Sequence, residues 1–339
     1  MGAVMKAVRL NELGGPEKLH VEDIPKPKPA VGEILVNIKR AAFNRRDVFI
    51  TQGLYPGIEL PKTLGSDGMG SVAELGEGVS GPKIGTRVVI DPTMNWGNDE
   101  RVWERNGGVL GMPREGTFAE FVSVPAANVH PAPEHLSDDE AAAVPLAGVT
   151  AYRACFSRGE LTKDDVVLIT GVGGGVQSFV LLYANSVGAK TIVTSGNDEK
   201  LARAKAMGAD VCINYKTSEN WSKDARDAAG GGGPSLIVDS VGGETLGKAV
   251  DIARPAARVI IYGGTNGDAK IRPFSIFWKQ LDIRGTSMGS PEDFRHMLRL
   301  FNKHKLRPAV DRVFQMSEAP KAAERLAAHD QFGKVVLAI

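Results

Sequence analysis

Along the first 130 residues, apolar positions come in short runs broken by turn residues. Met5 to Leu10, Lys18 to Asp23, Glu33 to Arg40, Gly70 to Glu74, Arg87 to Ile90 and Phe118 to Val124 read as strands. Gly14-Gly15-Pro16, Pro25-Lys26-Pro27-Lys28-Pro29, Gly76-Glu77-Gly78 and Gly81-Pro82 read as the turns between them. Strands this short and closely spaced predict a compact barrel or sandwich. Asp91 to Gly116 has little periodicity and carries Trp96 and Trp103, which reads as a long functional loop or the remnant of an insertion.

From Ser137 the pattern changes. Ser137 ahead of Asp138-Asp139-Glu140 is a helix start, with a hydroxyl to cap and acids in the first turn. Strand-like runs then alternate with helical ones. The strands are Val166 to Thr170, Thr191 to Ser195, Val211 to Asn214, Leu236 to Asp239 and Val259 to Tyr262, and helices include Gln177 to Val187, Glu199 to Met207 and Gly243 to Ala253. This alternation predicts an α/β fold with a doubly wound parallel sheet. Beyond Phe277 come a strand at Leu281 to Thr286, a helix at Pro291 to Lys303 and a final strand at Lys334 to Ile339. The end of the chain is expected to return to the first domain. That gives a discontinuous β-rich domain, residues 1–136 and 277–339, around a nucleotide-binding domain, residues 137–276.

The strand Val166 to Thr170 runs into Gly171-Val172-Gly173-Gly174-Gly175-Val176 and then a helix. Strand, glycine turn and helix in that order form a dinucleotide site, because glycines admit a pyrophosphate to the backbone and the helix N-terminus offers free N–H groups. In one register Gly171 and Gly173 fit and the third glycine is Val176; shifted by one, Gln177 takes that place. The last glycine of the pattern is therefore missing, which places the helix–strand packing distance in question. No acid stands at the tip of the second strand, which ends Ser195-Gly196-Asn197 before Asp198 and Glu199. A carboxylate there would favour a free ribose 2′-hydroxyl. Ser195, Lys200 and Tyr215 together favour a 2′-phosphate, and hence NADP(H).

Composition narrows the partners. The 339 residues carry 41 Lys+Arg against 40 Asp+Glu, so no basic excess points to nucleic acid. Two cysteines, Cys155 and Cys212, make neither a disulfide framework nor a metal cluster, and the six histidines show no metal spacing. They read as small core residues and as surface or helix residues respectively. No apolar run approaches the roughly 20 residues that span a bilayer, and a reducing cytoplasm is the expected setting.

The chain resembles the medium-chain dehydrogenase/reductase superfamily, in its zinc-free quinone-oxidoreductase-like branch. The resemblance rests on Met5-Lys6-Ala7-Val8, Asn44-Arg45-Arg46-Asp47, Gly53-Leu54-Tyr55-Pro56, Leu64-Gly65-Ser66-Asp67-Gly68, Gly116-Thr117-Phe118-Ala119-Glu120, Pro145-Leu146-Ala147-Gly148-Val149-Thr150, Gly208-Ala209-Asp210 and Gly333-Lys334-Val335-Val336. It implies a GroES-like catalytic domain joined to a Rossmann domain, and a homodimer formed by sheet extension near Arg258 to Tyr262 and Asp282 to Ser287. In zinc-dependent relatives the metal ligands stand where this chain has Asn44, Ser66 and Leu146. Asp67 alone cannot hold zinc, which needs three protein ligands in a catalytic site, so no metal is expected.

The resemblance also implies roles. Asn44 and Tyr55 stand at the edge of the nicotinamide pocket, Tyr55 as a donor to an oxyanion and Asn44 to orient cofactor or substrate. Arg45 is a candidate stabiliser of negative charge. Thr150 lies near the nicotinamide, Gly174, Gly175 and Val176 pass over the pyrophosphate, Gly263 forms part of the cofactor wall, and Lys334 reaches back to the cofactor. Each has a plainer alternative. Tyr55 is also suited to a packed turn, Asn44 to a helix N-cap, and Arg45 or Arg46 to a surface pair with Asp47 or Asp67. Phe274, Phe277 and Trp278 read as an apolar substrate cleft or as core. Without a Lewis acid, an already electron-poor acceptor is the natural substrate, so the leading expectation is an NADPH-dependent reductase of quinones, enones or related double bonds. The alternatives are an enoyl-thioester reductase and a catalytically silent NADPH-binding sensor or structural protein.

Overall fold

The structure, a computed structural model, describes residues 2–339. The chain divides into two compact units, one running up to Gly148 and resuming at Ser290–Ile339, the other Val149–Gly289.

In the first unit, β1 (Val4–Leu10) pairs antiparallel with β2 (Leu19–Pro25), Leu10 opposite Leu19. The strand β3 (Glu33–Ala42) leads into α1 (Arg45–Thr51), and β4 (Lys62–Thr63) precedes β5 (Asp67–Leu75) and β6 (Arg87–Ile90). The long polar loop holds a small hairpin, β7 (Thr93–Met94) with β8 (Gly108–Val109). Trp96 is buried there against Trp103, rings 6.2 Å apart, and its indole N–H donates to Asp99 O at 3.0 Å. An aromatic pair closes this lobe. The strands β9 (Phe121–Pro125) and β10 (Val129–Pro131) follow, then α2 (Asp138–Ala143) and α3 (Pro145–Tyr152). At the start of α2 the Ser137 hydroxyl accepts the Glu140 N–H at 3.2 Å while the Glu140 carboxylate accepts the Ser137 N–H at 2.8 Å, a reciprocal cap.

In the second unit the elements are β11 (Val166–Ile169), α4 (Gly175–Val187), β12 (Lys190–Ser195), α5 (Asp198–Ala206), β13 (Val211–Asn214), α6 (Trp221–Ala228), β14 (Leu236–Asp239), α7 (Gly243–Ile252), β15 (Arg258–Ile261), α8 (Pro273–Lys279) and β16 (Asp282–Gly285). The six strands form one parallel sheet in the order β13-β12-β11-β14-β15-β16. The order reverses between β11 and β14, where doubly wound sheets leave a crevice for ligands. Leu168, Ile192, Ile237 and Val259 are fully buried along the sheet, as the apolar runs require of parallel strands.

The chain then returns to the first unit through α9 (Pro291–His304), β17 (Val310–Gln315), α10 (Ala319–Ala327) and β18 (Lys334–Ala338). There β18 pairs antiparallel with β3, Val336 opposite Ala42, and β5 flanks β3 on its other side, Asp67 opposite Ala42.

Two boundaries differ from the sequence expectation. The segment 137–148 belongs to the β-rich unit, because α2 packs on β3, β5 and β18. Residues 277–289 belong to the second unit, because β16 adds to its sheet beside β15. The sequence also gave no warning of β17, which buries only Phe314, or of α10, whose inner face is mostly alanine. His130 departs from the surface or helix reading: it lies half-buried on β10, its ring 5.1 Å from that of Phe294, and desolvation pushes it down to about 4. No helix among the described residues is long and apolar enough to cross a membrane.

Candidate functional site

In the first unit the site begins at the junction of β3 and α1. The Asp47 carboxylate accepts the Asn44 N–H at 2.8 Å, tying the first turn of the helix together. Asn44 is the N-cap residue of α1, in a capping box with Asp47, and its side chain has further partners. It turns inward, donating from Nδ2 to Asp67 Oδ2 at 2.9 Å and accepting from Lys334 Nζ at 2.6 Å. Lys334 Nζ also donates to Phe43 O at 2.7 Å and Asp67 Oδ2 at 2.8 Å. The other Asp67 oxygen accepts the Leu146 N–H at 2.7 Å. The register of β18, β3 and β5 assembles this cluster, since each strand contributes at or beside the same end.

An ammonium has three N–H donors, and all three of Lys334's are engaged in a place where it is 2% exposed. Lys334, expected from the resemblance to reach the cofactor, is placed as the buried counter-ion of Asp67. Asp47 Oδ1 has no hydrogen-bond partner among the described residues, and burial pushes that carboxyl up to about 6.

Arg46 and Arg45 diverge. Arg46 is buried, donating from Nη1 to Ser66 Oγ at 2.7 Å and Leu110 O at 2.9 Å, and from Nε to the Tyr55 hydroxyl at 3.4 Å. Arg45 instead donates to His329 Nδ1 at 2.9 Å, apart from this cluster. The sequence reading singled out Arg45, whereas the structure brings Arg46 into the buried cluster. The signal was available: Arg46 shares the buried face of α1 with Ile50, one helical turn on.

In the second unit, Gly171 and Gly173 adopt φ of +67° and +123°, a region that favours glycine, and α4 begins at Gly175 with Gly174 ahead of it. Gly174, Gly175 and Val176 thus form the open N-terminal turn of a 13-residue helix. Gln177, in the place of the missing glycine, donates to Ser240 Oγ at 2.5 Å. It bridges the helix to the end of β14 rather than wedging them apart. Across the switch point the Thr170 hydroxyl donates to Asp239 Oδ2 at 2.5 Å, and Asp239 Oδ1 accepts the Gly242 N–H at 2.9 Å. Burial pushes the Asp239 carboxyl up.

Several polar side chains lie close together at the end of β12. A Cβ on Gly173 would lie 2.8 Å from Lys200 Cδ, so the lysine stem runs beside the glycine turn. A Cβ on Gly196 would lie 2.9 Å from the Tyr215 ring and 2.8 Å from Lys216 Cε. Lys216 was missed from sequence, although it follows Tyr215 directly. Asp198 Oδ1 accepts from Asn214 Nδ2 at 2.7 Å, which occupies the first acid beyond the strand. Ser195 and Thr150 are buried, and Gly263 follows β15 with its Cβ position 3.2 Å from Ser240 Cβ.

Two expectations fail here. Phe274, Phe277 and Trp278 are not core: they are exposed by 58%, 63% and 70% on α8, with Phe274 stacked on Trp278. Cys212 is only partly buried, its thiol 3.6 Å from Leu201 O, whereas Cys155 is fully buried and its thiol is pushed well up.

Residues 30–134 match the alcohol dehydrogenase GroES-like domain family and residues 175–303 the zinc-binding dehydrogenase family. The chain is 34% identical over 338 residues to the zinc-type alcohol dehydrogenase-like protein YogA of Leptosphaeria maculans, covering 95% of this chain and 94% of that one. It is 28% identical to an acryloyl-coenzyme A reductase of Metallosphaera sedula, covering 98% and 99%. A solved NAD-dependent alcohol dehydrogenase superposes with a TM-score of 0.92 at 36% identity, covering 99% and 100%.

The residues at the zinc-ligand positions do not fit the zinc those names imply. Asn44 is held by Asp67 and Lys334, Ser66 donates to Leu110 O at 2.8 Å while accepting from Arg46, and Leu146 offers no side-chain donor atom. Two buried cations, Lys334 and Arg46, stand at this spot, and their charge opposes a dication. Among the described residues no group of three His, Cys, Asp or Glu side chains is placed to hold a metal.

Proposed function

The chain belongs to the medium-chain dehydrogenase/reductase superfamily of oxidoreductases, and from that premise we propose that it is an NADPH-dependent reductase of quinones, enones or other activated double bonds. The observation that carries this reading is the Asn44–Asp67–Lys334 cluster with Ser66 and Leu146, where zinc-dependent relatives place their ligands. Lacking a Lewis acid to polarise a simple alcohol or ketone, the site suits an acceptor in which conjugation already draws electrons from the reacting carbon.

When bound, the reduced nicotinamide supplies a hydride. The protein's own part is to bind, orient and donate. The N-terminal turn of α4 offers backbone N–H groups to a pyrophosphate. Lys200, Lys216, Tyr215 and Ser195 supply cation and hydroxyl groups for a 2′-phosphate, which favours NADPH over NADH. Asn44 is immobilised by its two side-chain partners and acts as a fixed wall rather than a mobile donor. Tyr55 is half-buried and its hydroxyl is the donor to the oxygen that becomes an enolate or quinol.

A thioester-activated double bond is the second reading, favoured by the acryloyl-coenzyme A reductase relatives, whose named substrate is itself a conjugated thioester. We further propose a homodimer through the unpaired outer edge of β16 and the exposed aromatics of α8, which sedimentation of the purified chain tests.

The deciding experiment compares NADPH and NADH by calorimetric titration, in wild type and Lys216→Ala, and then follows NADPH oxidation with 1,4-benzoquinone, 9,10-phenanthrenequinone, an alkenal and acryloyl-coenzyme A. Tighter binding of NADPH, narrowed by the variant, with turnover of a conjugated acceptor supports the reading. NADPH binding without any turnover points to a silent sensor. Preference for NADH overturns the cofactor assignment.

A further inference from the structure

The reductase reading needs a proton as well as a hydride, and the surroundings of Tyr55 show how one is held ready. Arg46 is 8% exposed and anchored on three sides. Its Nη1 donates to Ser66 Oγ and Leu110 O, at 2.7 and 2.9 Å, and its Nη2 donates to Met112 O at 3.5 Å. Asp47 lies 4.0 Å from Nη1, a counter-charge within the same helical turn. The remaining edge of the fork points at Tyr55: the guanidinium carbon is 4.9 Å from the ring centroid and Nε is 3.4 Å from the hydroxyl.

A guanidinium donates and never accepts. The Tyr55 oxygen therefore receives a hydrogen bond from Arg46 through a lone pair, and the phenol's own hydrogen must point elsewhere. We infer that Arg46 is the positioning residue for Tyr55, holding its oxygen as acceptor so that the phenolic proton is presented to the substrate oxygen. This rests on the reductase reading. Ser66 is part of the device, because its short side chain accepts from Nη1 and leaves room for the fork.

The step balances. The hydride brings two electrons to the β-carbon, and the π pair moves to the conjugated oxygen. The Tyr55 O–H bond breaks as that oxygen gains the proton, giving an enol or quinol. The electron pair left on Tyr55 is stabilised by the adjacent guanidinium until water returns a proton.

The test uses the full-length protein as Arg46→Met, Arg46→Lys, Tyr55→Phe and the double variant Arg46→Met/Tyr55→Phe. Arg46→Lys keeps the charge but not the fork, and its kcat is expected to fall between those of wild type and Arg46→Met. With NADPH and a conjugated acceptor, kcat is expected to drop roughly 10- to 100-fold in Arg46→Met, while KM for NADPH is unchanged. In the Tyr55→Phe background the same substitution is expected to add little. Losses that multiply, or a KM for NADPH that rises while kcat holds, overturn the assignment. If Arg46→Met fails to fold, Arg46→Lys with and without Tyr55→Phe decides on the same kcat and KM readouts. Wild-type protein that reduces no acceptor overturns the reductase reading itself, whereas turnover with independent losses overturns only the role of Arg46.

Discussion

Removing the Lys334 ammonium would leave the Asp67 carboxylate fully buried with only the Asn44 amide and the Leu146 N–H as partners. Breaking one side of a buried pair in this way costs about 3–5 kcal/mol. Lys334→Met is therefore expected to lower stability by that order in chemical denaturation, and adding Asp67→Asn to recover much of it. A Lys334→Met protein as stable as wild type would show that the pair contributes nothing. Residues of this kind were only half legible in the sequence. Asn44 and Lys334 stood out within their motifs, but their motifs lie 290 residues apart, and nothing local told either side chain to face the other. Arg45 and Arg46 differ by one position, and only the buried face of α1 separates an arginine against His329 from one beneath Tyr55.

At the scale of elements, the strand–turn–helix from β11 to α4 concentrates two requirements on Gly173. Its φ of +123° lies where side chains are strained, and a Cβ there would press on Lys200 Cδ at 2.8 Å. Strain of this kind costs about 1–3 kcal/mol. Gly173→Ala is thus expected to weaken NADPH binding by roughly tenfold or more, about 1.4 kcal/mol, with the sheet intact by circular dichroism. Unchanged affinity would remove the turn from the cofactor site. The elements of this unit were readable because each buries its own apolar run, so that the signal is local. The strand β17 and helix α10 were not, because a strand with a single buried residue and a helix lined with alanine carry little contrast.

For the whole molecule, buried acids set a pH dependence. Burial pushes Asp47 up to about 6 and Asp91 up to about 7, in both cases above the ordinary carboxylate value. At these two carboxyls the folded chain therefore holds more protons than the unfolded one between about pH 4 and 7. The stability these groups contribute is complete below that window and is lost as pH rises through it. His130, pushed down to about 4, works in the opposite direction, so the variant and not the raw profile is diagnostic. Asp91→Asn is expected to raise Tm relative to wild type by an increment that grows from pH 4 to pH 7, and a constant increment would refute the assignment. Sequence alone determined the two kinds of layer, the parallel sheet and the glycine turn, because the periodicity of burial and the conformations of glycine are properties of neighbouring residues; the superfamily was legible only as a resemblance of whole motifs. Only the tertiary structure decided where 137–148 and 277–289 belong, that Lys334 faces Asp67 and that Arg46 holds Tyr55. Those depend on β18 returning beside β3 and on β16 joining β15, and on charges that must find partners once water is excluded.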